Sequence, residues 1–356
     1  MLLEGLHIPL TTPFHSDGRL NPRKLAANVA RYSKTPAAGF IVLGPSGEPT
    51  LLSDEETRDA LSTAAESAAP EKVLIAGIAR DSVHATLDFA NFAATLDYDA
   101  ILIGIPSVLT HVSLVREQSG LRLREVLTYF QTVADRSPLP IILYSDDGRV
   151  LPASNIIELA SHPNILGLIT GDVSVAIAEI LTRTASVKRE VTVTATFAAV
   201  TARMEKSAAR NTAQLISASA LTGKSATAIA EPPVLSALRT RTKTVGFQIL
   251  THSAQSILDG LSVGAAGAAP PFAACAPQAC FEVWAAWKDG DEPLAKEKQE
   301  RLRGAAYLTE YALGAGGLKA AADLNGYFGG PPRLPHLPPT GGERADLELQ
   351  MKELRN

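Results

Sequence analysis

Short, continuously apolar runs recur along the chain, with helix-like segments between them. Leu6–Thr12, Phe40–Gly44, Val73–Ile78, Ala100–Ile105, Pro140–Tyr144, Ile165–Ile169 and Phe247–Leu250 are seven such runs, and Gly264–Ala269 is a weaker eighth. Most are apolar at every position rather than at every second one. That is the pattern of parallel strands covered on both faces. The early runs recur at about the length of one strand–helix–strand unit.

The gaps carry helix signals. Ser53-Asp54-Glu55-Glu56 reads as a capping box, with Leu61, Ala64, Ala65 and Ala68 forming an apolar stripe behind it. Asn21-Pro22 reads as an N-cap followed by proline at the first helical position. Asp81 precedes a helix bearing Ala85, Phe89, Phe92 and Ala93 on one face, and Ser154 starts another after Pro152. Eight strands alternating with helices predict an α/β fold, a (β/α)8 TIM barrel, over residues 1–270. An open doubly wound sheet is the alternative. Residues 271–356 are expected to form a C-terminal helical extension, with helices over Phe281–Trp287, Pro293–Leu308, Gly316–Gly326 and Asp346–Leu354. The turn Gly329-Gly330-Pro331-Pro332-Arg333-Leu334-Pro335 interrupts them.

The stretch 186–244 exceeds a minimal barrel. It holds a ninth strand pattern, Val191–Phe197, and ends in a basic patch at Arg239, Arg241 and Lys243. In one register it is an insert between helix 6 and strand 7, on the face opposite the strand C-termini. In the other, Val191–Phe197 is itself strand 7 and the insert overhangs that mouth. The first register is the one adopted.

Composition narrows the function classes. The 356 residues are 46% hydrophobic and 20% charged, enough for a large core, and the net charge of −4 gives no footprint for nucleic acid. No apolar run reaches the roughly 20 residues of a membrane helix. The opening Met1-Leu2-Leu3-Glu4-Gly5 lacks the pattern of a signal peptide, so a soluble, cytoplasmic protein is expected. Cys275 and Cys280 have no metal-ligand spacing and read as small apolar helix residues.

Strand C-termini collect chemistry in such a barrel. Gly44-Pro45-Ser46-Gly47-Glu48 follows strand 2, and Tyr144-Ser145-Asp146-Asp147-Gly148-Arg149 ends strand 5. Thr12-Pro13-Phe14 stands near strand 1 and Gly264-Ala265-Ala266-Gly267 near strand 8. As an ordered set, with Gly330-Pro331-Pro332-Arg333-Leu334-Pro335, they resemble the dihydrodipicolinate synthase / N-acetylneuraminate lyase family of pyruvate-dependent aldolases. The resemblance covers nearly the whole chain outside 186–244.

The resemblance implies a (β/α)8 barrel, a homodimer or homotetramer, no cofactor, no metal, and a small carboxylate as ligand. It implies carboxylate binding by loop 2, hence Gly44, Ser46, Gly47 and Glu48, a proton relay at Tyr144, and a second anion contact at Arg149. It also implies a Schiff-base lysine on strand 6. The family pattern there is Gly-Ile-Lys-Glu, where this chain has Gly167-Leu168-Ile169-Thr170, so Ile169 or Thr170 holds the lysine's place. Pro45 replaces a loop threonine and removes an N–H, and Val108 falls where the family has a second tyrosine. A Schiff base needs a primary amine, which neither isoleucine nor threonine supplies. The resulting expectation is a barrel-mouth pocket for a 2-oxo acid or sugar acid, without class I aldolase chemistry. The alternatives are a non-catalytic binding or assembly homologue, or a lysine-independent lyase, hydratase or isomerase.

Other residues enter as candidates. Lys188 and Lys243 flank the insert and Lys206 and Lys224 lie inside it; the first register puts them on the wrong face, and the second would let Lys206 or Lys224 overhang the mouth. Asp146, Asp147 and Asp172 follow neighbouring strands, with Glu48 across the mouth, and such oxygen-rich sets suit Mg²⁺ or Mn²⁺. Turn and cap roles explain the same aspartates. His111 and His252 lie near strand ends, where histidine serves as a structural hydrogen-bonding group or as a general base.

Overall fold

A computed structural model of the chain describes residues 1–110, 121–146, 150–171, 175–209 and 238–354. Eight parallel strands close into a barrel. In chain order they are β1 (Gly5–Pro9), β2 (Gly39–Val42), β3 (Val73–Gly77), β4 (Ala100–Ile103), β5 (Ile141–Ser145), β6 (Ile165–Thr170), β9 (Gln248–Thr251) and β10 (Gly267–Ala268). Each pairs with the next, and β10 returns to β1 through Gly5 opposite Gly267. The eighth strand is shorter than its sequence run, with two ladder residues.

Alternate strand residues separate into two cores, as the period of two in a strand requires. Phe40, Val42, Leu74, Ile101, Ile103, Leu143, Leu168 and Ile249 join the layer beneath the helices. Ile41, Ile75, Leu102, Ile142, Tyr144, Ile169 and Leu250 form a second cluster that fills the barrel itself. The apolar runs are continuous because both faces of every strand are covered.

The helical signals translate directly. Helix α1 (Pro22–Tyr32) is capped by Asn21, and α2 (Asp54–Ser67) has the complete Ser53/Glu56 capping box. For α3 (Val83–Thr95), the cap is Ser82, the residue after Asp81. The Asp81 carboxylate instead accepts from the backbone N–H groups of Ser107 and Val108 after β4. Helices α4 (Leu121–Arg136), α5 (Ala153–Ala160) and α6 (Val175–Arg183) come next, and α7 (Ile257–Ser262) comes after β9. The C-terminal helices are α8 (Pro277–Lys288), α9 (Glu292–Ala306), α10 (Gly314–Leu324) and α11 (Gly341–Met351). A π-helical turn, Tyr307–Ala312, joins α9 to α10. Among the described residues no helix is long and apolar enough to cross a membrane.

The extra strand pattern is not part of the barrel. Arg189–Thr194 (β7) pairs antiparallel with Thr240–Val245 (β8) as a separate two-stranded ribbon. Val191 and Val193 bury against Leu2, while Thr192 is exposed. The ribbon therefore covers the N-terminal end of the barrel. The chain just after β7 docks on the helix-to-strand connections at that same end. Arg203 donates to the Ala68 carbonyl, Ala202 N–H donates to Asp99, and Lys206 pairs with Asp97 at 2.6 Å. This is the first register. Lys206 and Lys243 lie on the face opposite the mouth, Lys188 adjoins the ribbon there, and Lys224 is outside the described residues.

Candidate functional site

The C-terminal mouth of the barrel is built on an apolar floor. Tyr144, Ile169 and Leu250 stand side by side on β5, β6 and β9, in one row of the ladder. All three are buried in the interior cluster. Ile169, one residue before Thr170, is thus the residue that faces into the barrel beside Tyr144, and by strand alternation Thr170 faces the other way. Above this floor the chain after β9 brings in His252, whose backbone N–H donates to the Thr170 carbonyl.

Tyr144 and His252 meet at one edge of the mouth. The Tyr144 hydroxyl lies 3.0 Å from His252 Nε2, and the rings pack edge to face with centroids 5.3 Å apart. A tyrosine–histidine hydrogen bond can pass a proton in either direction, because each partner is both donor and acceptor in its neutral form. The turn that follows the histidine is held by a carboxylate. Glu310, in the π-helical turn, accepts from Ser253 Oγ at 2.8 Å and from the N–H groups of Ala254 and Phe272. Burial raises the Glu310 pKa to about 7 despite those donors. The turn after His252 is therefore fastened to the C-terminal helices.

Loop 2 is shaped by close approach. Gly44 lies over Ile41 and Leu102, and a Cβ there would come within 2.9 Å of the Ile41 methyl. Thr12 donates to the Gly47 carbonyl at 2.6 Å and so ties the loop to the end of β1. The hydroxyls of Ser46 and Thr11 are both buried with no hydrogen-bond partner among the described residues. An unmet buried hydroxyl costs about 1–3 kcal/mol, so these oxygens are receptive to a polar ligand.

Glu48 sits in the left-handed region at φ 54. Its Oε1 pairs with Lys319 Nζ at 2.5 Å, and both side chains are 1% exposed. Its Oε2 accepts from Arg333 N–H at 3.1 Å and lies 3.0 Å from His336 Nδ1. The carboxylate thus ties loop 2, which the sequence grouped with the ligand contacts, to the C-terminal segment. Lys319 also donates to the Pro331 carbonyl and stands over the Phe14 ring at 4.2 Å. Burial pushes its pKa down, against the opposing pull of Glu48.

Arg333 completes the tie. Its guanidinium makes a two-point contact with Glu56, at 2.5 and 2.7 Å, and donates to the Leu51 carbonyl. Glu56, which also closes the α2 capping box, is held by this arginine at a pKa of about 2, down from an ordinary 4.5. A depressed carboxylate pKa stabilises the fold above the unfolded value, and that stability is lost as pH falls toward the folded value. Acid unfolding monitored by circular dichroism should therefore show a loss of stability between about pH 4.5 and 2. Arg333→Met should flatten the slope in that window, and an unchanged slope would contradict the assignment.

Of the other sequence candidates, Gly44, Ser46, Gly47, Tyr144, Ile169 and His252 gather at the mouth. Asp146 follows β5, while Arg149, Asp147, Asp172 and His111 lie outside the described residues. No group of three His, Cys, Asp or Glu side chains that could hold a metal occurs among the described residues. Cys275 and Cys280 are buried free thiols with pKa values raised by burial. Thr11, Lys319, His336 and Glu310 were not singled out from sequence. For Lys319 a signal existed, since it is a lone charge in the small-residue run Gly316–Ala322.

Comparisons with known proteins bear on the fold and the family. The chain is 30% identical over 179 residues to a 4-hydroxy-tetrahydrodipicolinate synthase of Exiguobacterium, covering 49% of this chain and 58% of that protein. It is 33% identical over 172 residues to an N-acetylneuraminate lyase of Rhizobium meliloti, covering 47% and 54%. The matched stretch thus spans little more than half the length of these curated relatives. Among solved structures, a dihydrodipicolinate synthase of Bacillus anthracis superposes with a TM-score of 0.75 at 19% identity, over 100% of both chains. YagE, a prophage protein of E. coli K12 solved in complex with pyruvate, gives 0.72 at 21% identity, over 99% of each. These two likenesses establish the fold. The family model described as the dihydrodipicolinate synthetase family matches residues 2–205, more than half of the chain, and the chain belongs to that family.

Proposed function

We propose that the barrel mouth binds a small carboxylate, a 2-oxo acid or sugar acid, and moves protons on it without forming a Schiff base. The observation that carries this reading is the Tyr144–His252 hydrogen bond, set beside Ile169 at the end of the barrel. The pair supplies a proton donor and acceptor at one edge of the mouth. Ser46 and Thr11 offer two buried hydroxyls, Gly44 keeps loop 2 close to the floor, and Gly47 lets it pack on the chain after β1. Arg149 is proposed as the second anion contact, on the spacing from Tyr144 alone.

Ile169 supports the second half of the reading. An imine needs an amine within bonding distance of the ligand carbonyl, and the residue beside Tyr144 is a hydrocarbon. The amine at Lys319 is paired with Glu48 and buried. What remains is acid–base chemistry of the lyase, hydratase or isomerase kind, with the Tyr144–His252 pair exchanging the proton. Dihydrodipicolinate synthase and N-acetylneuraminate lyase activities themselves are not proposed for this chain.

The site is proposed to act in a homodimer or homotetramer, as the family resemblance implies. Residues 1–270 are proposed as the barrel domain and 271–356 as its helical region.

Two measurements on the intact protein test this. Calorimetric titration with pyruvate and other small carboxylates should give saturable binding, and no heat with any of them would remove the reading. Proton NMR in D₂O should then show the methyl protons of pyruvate exchanging faster with the protein than without it. Binding without exchange would leave a non-catalytic binding protein in place of an enzyme.

A further inference from the structure

The opposite end of the barrel carries a cleft of about 330 Å³, bounded by the inserted ribbon and α8. That volume is in the range of small-ligand sites, about 300–1,000 Å³. Trp284 and Trp287, one turn apart on α8, supply indole surface, and Leu2 and Val245 add aliphatic surface. Small residues, Gly264 to Ala266, leave the space between them open.

The charge in the cleft is unbalanced. Glu4 accepts from Lys243 at 2.6 Å through one oxygen and from Lys288 through the other. Among the described residues these three are the ionisable side chains that line the cleft. Two ammonium groups on one carboxylate leave one positive charge in excess. The Lys288 side chain is 56% exposed, so it can turn toward an incoming anion while Lys243 keeps Glu4 paired. Indole walls, a volume for one ring and a single uncompensated cation define a narrow ligand class.

We propose that this cleft is a second binding site, for a small aromatic monocarboxylate whose ring lies against Trp284 and Trp287 and whose carboxylate meets Lys288. It is separate from the mouth and independent of the chemistry proposed there. It also gives the insert a role, since β8 supplies Lys243 and Val245 to its wall.

The chain has two tryptophans, and both line this cleft. Indole emission therefore reports on it directly. Titration of the full-length protein with 3-phenylpropionate should give a saturable emission change. The neutral analogue 3-phenylpropanol should bind about tenfold more weakly, the loss expected for one missing ion contact. Lys288→Met should weaken 3-phenylpropionate by a similar factor, and Lys288→Arg should restore it. No saturable change up to about 10 mM would overturn the proposal. So would equal affinity for acid and alcohol, or equal affinity in natural and Lys288→Met proteins of matched unfolding midpoint.

Discussion

Replacing Lys319 with methionine should lower the unfolding free energy by about 3–5 kcal/mol, the usual cost of removing one member of a buried ion pair. The Glu48 carboxylate would be left at 1% exposure with His336 and the Arg333 N–H as its remaining partners among the described residues. Glu48 already sits at a positive φ, a conformation held in place by its surroundings. The effect should therefore spread to loop 2 and weaken any ligand held there. Denaturant unfolding should show a lower midpoint at an unchanged slope. Adding Glu48→Gln to Lys319→Met should recover a large part of the loss, because the stranded charge is then gone. A single-variant loss under about 1 kcal/mol would mean that the pair is not the anchor described.

Tyr144→Phe should weaken carboxylate binding by about 10- to 150-fold, and should abolish proton exchange on the bound ligand. The figure comes from about 1.5–3 kcal/mol for a hydrogen bond to a charged group. The phenyl ring keeps the edge-to-face contact with His252 and the packing against Gly104. The variant should thus fold as the natural chain does, which circular dichroism and the unfolding midpoint can verify. His252→Gln should retain much of the binding and lose the exchange, since an amide can hydrogen-bond Tyr144 but does not titrate near neutral pH. Unchanged binding of every small carboxylate by Tyr144→Phe would sink the pocket assignment.

The barrel was legible in the chain because its strands are apolar on both faces, and two helix starts are written locally at Asn21-Pro22 and Ser53–Glu56. The insert was harder, because nine strand patterns compete for eight places. The deciding signal was present in the pattern itself. Val191-Thr192-Val193-Thr194 alternates, as a ribbon with one covered face does, while the barrel strands do not.

The mouth was legible in part. Tyr144 and Gly44–Glu48 were found as strand-end motifs, but the partner of each is far away in sequence. His252 is 108 residues from Tyr144, and Arg333 is 285 from Glu48. No local rule links such pairs, so the sequence did not show that the Glu48 carboxylate has Lys319 and the Arg333 N–H as partners. The C-terminal turn at Gly330–Pro335 was read as a break in structure. It is also the carrier of Arg333, which ties the tail to the first turn of α2.

The central claim is that a family barrel with Ile169 beside Tyr144 handles its ligand without an imine. Borohydride reduction of the protein in the presence of pyruvate, read by intact mass and peptide mapping, tests this most directly. The expected result is no change in mass under conditions where calorimetry shows pyruvate bound. A stoichiometric, pyruvate-dependent adduct on any lysine, Lys319 included, would contradict it.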